Sequence, residues 1–135
     1  MISTKGRYSI RVMIDLALHS GDSYIPVKEV AARQKISLKY LESILPLLTK
    51  GNLLVGIHGK GGGYRLCKNP EEISIFEILQ ATEGDLAPVG CLSCDAQSCD
   101  QAADCYTLPM WKKYYELIKD YFEHITLKDL MEQRI

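Results

Sequence analysis

Positions 58 to 63 read His58-Gly59-Lys60-Gly61-Gly62-Gly63. Four glycines in six residues carry too large a backbone entropy cost for a helix and give a sheet interior no side chains to pack. The segment is therefore a turn. Residues 52–57 (Asn-Leu-Leu-Val-Gly-Ile) precede it and Tyr64-Arg65-Leu66 follows, both short and apolar, so the three pieces predict a two-stranded hairpin.

What precedes the hairpin has helical period. Residues 7–18 place Ile10, Ile14, Ala17 and Leu18 on one predicted face, with Tyr8 and Val12 adjoining, before His19-Ser20-Gly21-Asp22-Ser23 breaks the pattern. Tyr24-Ile25-Pro26 is an extended link to a second helix over Val27–Gln34, with Val30 and Ala31 inward. Lys35-Ile36 is a tight turn, and Ser37 can cap a third helix by accepting an orphan backbone N–H. That helix offers Leu38, Leu41, Ile44, Leu45 and Leu48 to a core. Pro46 is expected to bend it or weaken its last turn, and Lys50-Gly51 to end it. After the hairpin a fourth helix fits Ser74–Glu83, with Ile75, Ile78 and Leu79 inward and Phe76 at the edge of that stripe. The fold class is mainly α with a small β-hairpin.

Three helices followed by a glycine-tipped hairpin are the parts of a winged helix-turn-helix, in which one helix enters a DNA major groove about 12 Å wide. The outward face of the third helix would carry Ser37, Lys39, Tyr40, Glu42 and Ser43. Glu42 can accept from a cytosine amino group, while Lys39 or Tyr40 can hold a phosphate or a base edge. At the wing, glycines permit close backbone approach and Lys60 supplies charge. The net charge of −1 conceals an asymmetry: ten basic against four acidic residues through Arg65 gives +6, and six against thirteen beyond it gives −7. A basic front half suits a phosphate-binding surface, and an acidic back half is expected to point away from it.

Four of the five cysteines, Cys91, Cys94, Cys99 and Cys105, fall within fifteen positions. The chain has no apolar run long enough to span a bilayer and no apolar signal core at its start, so it reads as cytoplasmic. In a reducing compartment such thiol density argues for metal ligation or redox work rather than a disulfide framework. The residues between the thiols are small and polar, with little apolar area to fold upon, so a metal centre is the natural tie. Thiolates suit iron–sulfur clusters and zinc, and a metal-free thiol switch is a third reading. Cys67, just after the second strand, reads as buried core, and His19 and His124 as surface or core residues rather than ligands.

Beyond the loop, Met110, Trp111, Tyr114, Leu117, Ile118, Tyr121 and Phe122 recur at helical spacing, with Thr107 as cap and Pro109 in the first turn. With Tyr115, this is more aromatic surface than one small core needs. The Trp111–Ile125 helix is expected to pack partly on its own chain and partly on a second copy. Thr126-Leu127-Lys128-Asp129 resembles a capping box opening a short last helix. The expected organisation is a winged helix-turn-helix over 1–83, a cysteine-rich sensor loop over 84–107, and a dimerisation helix with a C-terminal helix over 108–135. No nucleophile–base pair or paired-carboxylate site has recognisable spacing, and Gly59–Gly63 is not a P-loop because no Gly-Lys-Ser/Thr ends it. The chain does not read as an enzyme.

Taken in order, Ser3-Thr4-Lys5-Gly6-Arg7-Tyr8, Ser37-Leu38-Lys39-Tyr40-Leu41-Glu42, Gly59-Lys60-Gly61-Gly62-Gly63-Tyr64 and the Cys99/Cys105 loop leading to Trp111 closely resemble the Rrf2 family of bacterial regulators over nearly the whole chain. Within it the likeness is to the iron–sulfur cluster regulator (IscR-like) branch. The resemblance implies a homodimer with paired wings that reads a palindromic double-stranded DNA operator, as a repressor or an activator, according to cluster status. It matches Ser37, Lys39, Tyr40 and Glu42 to recognition contacts and puts His58 where many relatives carry a wing-tip arginine. It also implies a [2Fe-2S] cluster on three loop thiols. Cys99 and Cys105 match the last two, and the first is Cys91 or Cys94, with Cys91 the better match. Where the best-known members place a fourth, histidine ligand, this chain has Leu108. Cys94 is then free to complete an all-thiolate site, which could equally hold [4Fe-4S] or Zn. The rival reading is a regulator of the same family without a cluster, using a zinc site, a thiol switch, a metabolite or a protein partner.

Overall fold

The computed structural model describes residues 2–97 and 99–135; Met1 and Ser98 lie outside them. Three helices come first: α1 (Thr4–His19), α2 (Val27–Gln34) and α3 (Leu38–Lys50). The antiparallel strands β1 (Leu54–Ile57) and β2 (Gly63–Leu66) follow, then α4 (Ile75–Glu83), α5 (Leu108–Glu123) and α6 (Leu127–Met131). This is the expected winged arrangement, mainly helical with one hairpin.

The core lies between α1, α3 and α4, where Val12, Met13, Leu16, Leu41, Ile44, Leu48, Ile78 and Leu79 lose essentially all solvent contact. The inner face of α1 is not the one its hydrophobic pattern suggests. Ser9, Val12, Met13, Asp15 and Leu16 are buried; Ile10, Ile14 and Ala17 are half-buried, and Leu18 is exposed. The true inner face is broken by polar residues whose needs are met locally. Ser9 donates to the Lys5 carbonyl at 2.7 Å. The carboxylate of Asp15 accepts from Arg33 Nε at 3.0 Å, Arg33 Nη2 at 2.8 Å and Gln34 Nε2 at 2.8 Å. Burial pushes the Asp15 carboxyl up, but the Arg33 and Gln34 donors and the guanidinium charge outweigh it and hold it below the ordinary range. Arg11 adds a bond to the Gln34 carbonyl, so α1 grips the C-terminal end of α2. Lys35, left-handed at φ 56°, then turns the chain toward α3.

Ser37 caps α3, its hydroxyl accepting from the Tyr40 N–H at 3.1 Å. The helix runs through Pro46 to Lys50; Pro46 lies on the exposed side, and Thr49 Oγ1 donates to the Leu45 carbonyl at 2.9 Å. Leu38, expected inward, is 40% exposed, whereas Leu41, Ile44, Leu45 and Leu48 are buried.

In the hairpin Leu54 pairs with Leu66 and Ile57 with Gly63. Ile25 joins as a one-residue third strand, exchanging 2.9 Å hydrogen bonds with Tyr64 in both directions. Gly63, at φ 153°, is required here, since a Cβ would collide with the Ile25 carbonyl. At the opposite end the capped starts of α4 and α6 are zipped together. The Ile75 N–H donates to Ile125 and the Leu127 N–H to Ile73, both at 2.8 Å, while Ser74/Glu77 and Thr126/Asp129 form reciprocal capping boxes. Leu127 is thereby fully buried. Among the described residues no helix is long and apolar enough to cross a membrane.

Candidate functional site

α3 and the hairpin flank a groove of about 900 Å³, lined by Lys28 of α2, Glu42, Pro46 and Lys50 of α3, and Ile57 and His58 of the hairpin, among others. The sequence-derived candidates divide here. Lys39, Glu42, His58 and Lys60 are exposed and make no hydrogen bond or ion pair among the described residues, so their polar ends are available to a ligand. Tyr40 is half-buried: its ring meets Tyr8 edge-on at 5.5 Å, and Arg11 lies 5.0 Å over that Tyr8 ring. Its packing fixes the first turn of α3 against α1. Ser37 is occupied by its cap, and the Ser43 hydroxyl donates back to the Tyr40 carbonyl at 2.6 Å. Lys28 and Lys50 were not singled out from sequence; only the hairpin's position beside α3 brings them to this groove.

The second cluster lies between α4 and α5. Cys91, Cys99 and Cys105 line one pocket of about 370 Å³, together with Leu108 and Lys112 of α5. Cys94 is not among the lining residues. Its backbone N–H donates to Asp85 Oδ2 at 2.7 Å, and the Asp95 and Asp85 carboxylates push its thiol up. Cys105 is the opposite case. The Thr107 hydroxyl, 3.5 Å from Sγ, and the Thr107 and Leu108 N–H groups at the start of α5 hold its thiol below the ordinary value, as a helix N-terminus does. Thr107 occupies the N-cap position of α5 as predicted, but its hydroxyl serves this thiol and makes no cap bond. Among the described residues no three ligating side chains converge closely enough to hold an ion. The donor set nevertheless suits a thiophilic group, because three soft sulfurs share one pocket and one of them, Cys105, is held below its ordinary thiol value.

Three expectations about lone residues resolve differently. Cys67 is exposed rather than core, since its N–H continues the strand pairing to the Leu53 carbonyl and turns its side chain outward. His19 and His124 rest on the Asp15 and Asp120 carbonyls, one turn back on their own helices and remote from the thiols. Asp85 was missed. It accepts from the Ala87 N–H at 2.9 Å, the Cys94 N–H at 2.7 Å and the Tyr115 hydroxyl at 3.4 Å; the Cys94 and Ala87 donors hold its carboxyl below the usual range. No spacing rule announces a carboxylate whose partners lie two, nine and thirty residues away.

On α5, Phe122 packs against the core and Trp111 meets Tyr114 edge-on, but Met110, Tyr114, Leu117 and Tyr121 form a row 48–57% exposed. This is a bare apolar stripe on an otherwise charged helix.

A capped, polar-faced helix beside a glycine-tipped hairpin, with two more helices bracing it, defines a winged helix-turn-helix transcription regulator. The Rrf2 family model, described as an iron-dependent transcriptional regulator, matches residues 2–133. The chain belongs to the Rrf2 family. The HTH-type transcriptional regulator IscR of Pectobacterium atrosepticum is 34% identical over 133 residues, 98% of this chain and 80% of that one. Among solved structures, CymR, the global cysteine regulator of B. subtilis, superposes with a TM-score of 0.77 at 30% identity, covering 100% of this chain and 98% of its own. T. potens IscR gives a TM-score of 0.74 at 30% identity, covering 100% and 88% respectively. These relatives are transcription regulators, not enzymes.

Proposed function

We propose that the protein acts as a homodimer on a palindromic duplex operator, with occupancy of the thiol pocket setting its affinity for that operator. In this reading residues 1–83 contact DNA, 84–107 sense, and 108–135 join the two protomers. Lys39 and Glu42 reach base edges or phosphates from α3. Ser37, Tyr40 and Ser43 fix the angle at which α3 enters the groove and offer further polar contacts. His58 and Lys60 bring the wing to the backbone or minor groove. The bare stripe of Met110, Tyr114, Leu117 and Tyr121 is where the partner's α5 would lie, keeping the two reading heads at a fixed separation.

One observation carries the sensing half of this reading: Cys91, Cys99 and Cys105 line a single pocket at the N-terminus of the helix that bears the stripe. An iron–sulfur cluster held there would supply a centre sensitive to iron supply and oxidants. Cys91, Cys99 and Cys105 are its holders, Thr107 and the first N–H groups of α5 support the Cys105 thiolate, Leu108 shields the pocket from water, and Lys112 offsets thiolate charge. Cys94 is the remaining sulfur for a fourth position. A [2Fe-2S] centre, a [4Fe-4S] centre and zinc each take four ligands, so Cys94 would complete an all-thiolate site in any of them.

The likeness to CymR supports a second reading, in which the same scaffold works without a cluster through a thiol switch, zinc or a protein partner.

The test is to purify the protein anaerobically, reconstitute it with iron and sulfide, and titrate palindromic duplexes at several salt concentrations. Visible absorbance with operator affinity that differs between loaded and Cys99→Ala/Cys105→Ala protein supports the cluster. A colourless protein with stoichiometric zinc supports the second reading. The absence of salt-sensitive preference for any palindrome, in any metallated or reduced form, overturns both.

A further inference from the structure

The loop carrying the four thiols is almost untethered. Among the described residues, every hydrogen bond made by residues 91–105 ends within three positions of its origin, except one: the Cys94 N–H to Asp85 Oδ2 at 2.7 Å. The other oxygen of that carboxylate accepts from the Ala87 N–H and, at 3.4 Å, from the Tyr115 hydroxyl on α5. Asp85 therefore touches the segment after α4, the thiol loop and the dimer-face helix at once. It also decides where Cys94 stands. The neighbours Ser93 and Ala96 line the three-thiol pocket, but Cys94 does not. Its backbone is fixed from outside, which leaves rotation about the Cα–Cβ bond as the side chain's one means of moving its sulfur.

We infer that Asp85 is a positioning residue that holds Cys94 in reserve outside the three-thiol pocket, and that ligation of a thiophilic metal by Cys94 releases this carboxylate and its contact with Tyr115 of α5. The inference rests on the proposed metal function of the thiol pocket. On ligation Cys94 gives its thiol proton to solvent and its sulfur electron pair to the metal. The Cys94–Asp85 hydrogen bond breaks, and the freed carboxylate is hydrated or pairs elsewhere. The hold is a competing interaction, so removing it strengthens metal binding, the reverse of what loss of a merely structural residue does. The same release is what α5 senses, because Tyr115 lies on the helix that carries the bare stripe.

The experiment uses the full chain, reduced and anaerobic, with Co(II) as probe against a competing chelator, read by thiolate-to-cobalt absorption and by amide exchange over residues 108–123. The wild type is expected to show a four-thiolate spectrum, with altered α5 exchange on loading. Asp85→Ala is expected to bind about tenfold tighter and to lose the α5 response. Asp85→Asn, which keeps an acceptor for the Ala87 N–H and so preserves the turn, should fall between. Cys94→Ser should give a three-thiolate spectrum. The inference is overturned if both Asp85 variants bind equally or more weakly, if Cys94→Ser leaves the spectrum unchanged, or if wild-type α5 exchange ignores loading. A wild type that takes up no Co(II) overturns the metal reading itself, whereas four-thiolate binding indifferent to Asp85 overturns the reserve role alone.

Discussion

Asp15→Ala removes the carboxylate on which α1 and α2 are joined. The side chain has no solvent contact, and that of Arg33 is 32% exposed. Orphaning a fully buried charge costs about 3–5 kcal/mol, but Arg33 can rehydrate, so the loss should fall at the lower end, near ~3 kcal/mol. The three hydrogen bonds that the carboxylate accepts from Arg33 and Gln34, at a net ~1–1.5 kcal/mol each, give about 3–4.5 kcal/mol, the same range. With a urea m-value of about 1.5–2 kcal/mol/M, the midpoint should drop by about 1.5–2 M at matched protomer concentration. The pH dependence carries a sign. The folded carboxyl is held below its unfolded value of about 3.9, so its contribution is complete above that pH and is lost as pH falls through the folded value. Asp15→Asn, which cannot titrate, should lie well below the wild type at pH 6, with a gap that holds down to about pH 3.9 and narrows only as the pH falls further. Equilibrium urea unfolding by circular dichroism across that range measures both effects. A loss under ~1 kcal/mol, or a wild-type-to-Asn gap independent of pH, would refute the clamp.

Other substitutions test the reading surface and the seam. Gly63→Ala forces a Cβ into the Ile25 carbonyl at φ 153° and should cost at least ~2 kcal/mol in thermal unfolding, with wing-dependent DNA affinity falling too. Neutral behaviour would mean Ile25 and β2 are not in contact. Glu42→Ala should erase about 1–3 kcal/mol of discrimination at one base pair per half-site, measured with single-base operator variants; an unchanged rank order counts against a base-edge role. Lys60→Ala should weaken binding to all duplexes alike and flatten the log–log salt slope by about 0.9 per wing, whereas a selective loss would make it a base reader. Leu117→Glu should give monomers in sedimentation and lose operator affinity; a persisting dimer moves the seam elsewhere.

The winged architecture was legible because glycine and helix caps act locally. The 58–63 run, Ser37, Ser74 and Thr126 dictate their own neighbourhoods, and each element begins or turns where they stand. The inner face of α1 was not legible, because Ser9 and Asp15 look polar until Lys5 and the end of α2 are in place to satisfy them. Leu38 and Cys67 failed for the same reason in reverse: an apolar or soft side chain at the margin of an element has no periodic neighbour to say which side is covered. In the thiol loop, sequence named the four sulfurs, but a small polar segment carries no pattern to say which share a pocket. That separation depends on Asp85, whose ties are long-range.

The pairing of Ile25 with Tyr64 fastens the wing to the segment that launches α2, while Tyr8 pins the start of α3 from the other side. The chain thus carries a rigid stamp in which α3 and the wing keep one mutual distance. In the proposed dimer, any tuning between target sites would have to come from how far apart, and at what angle, two such stamps are pressed onto the duplex, and this would make the helix joining them the adjustable part of the instrument.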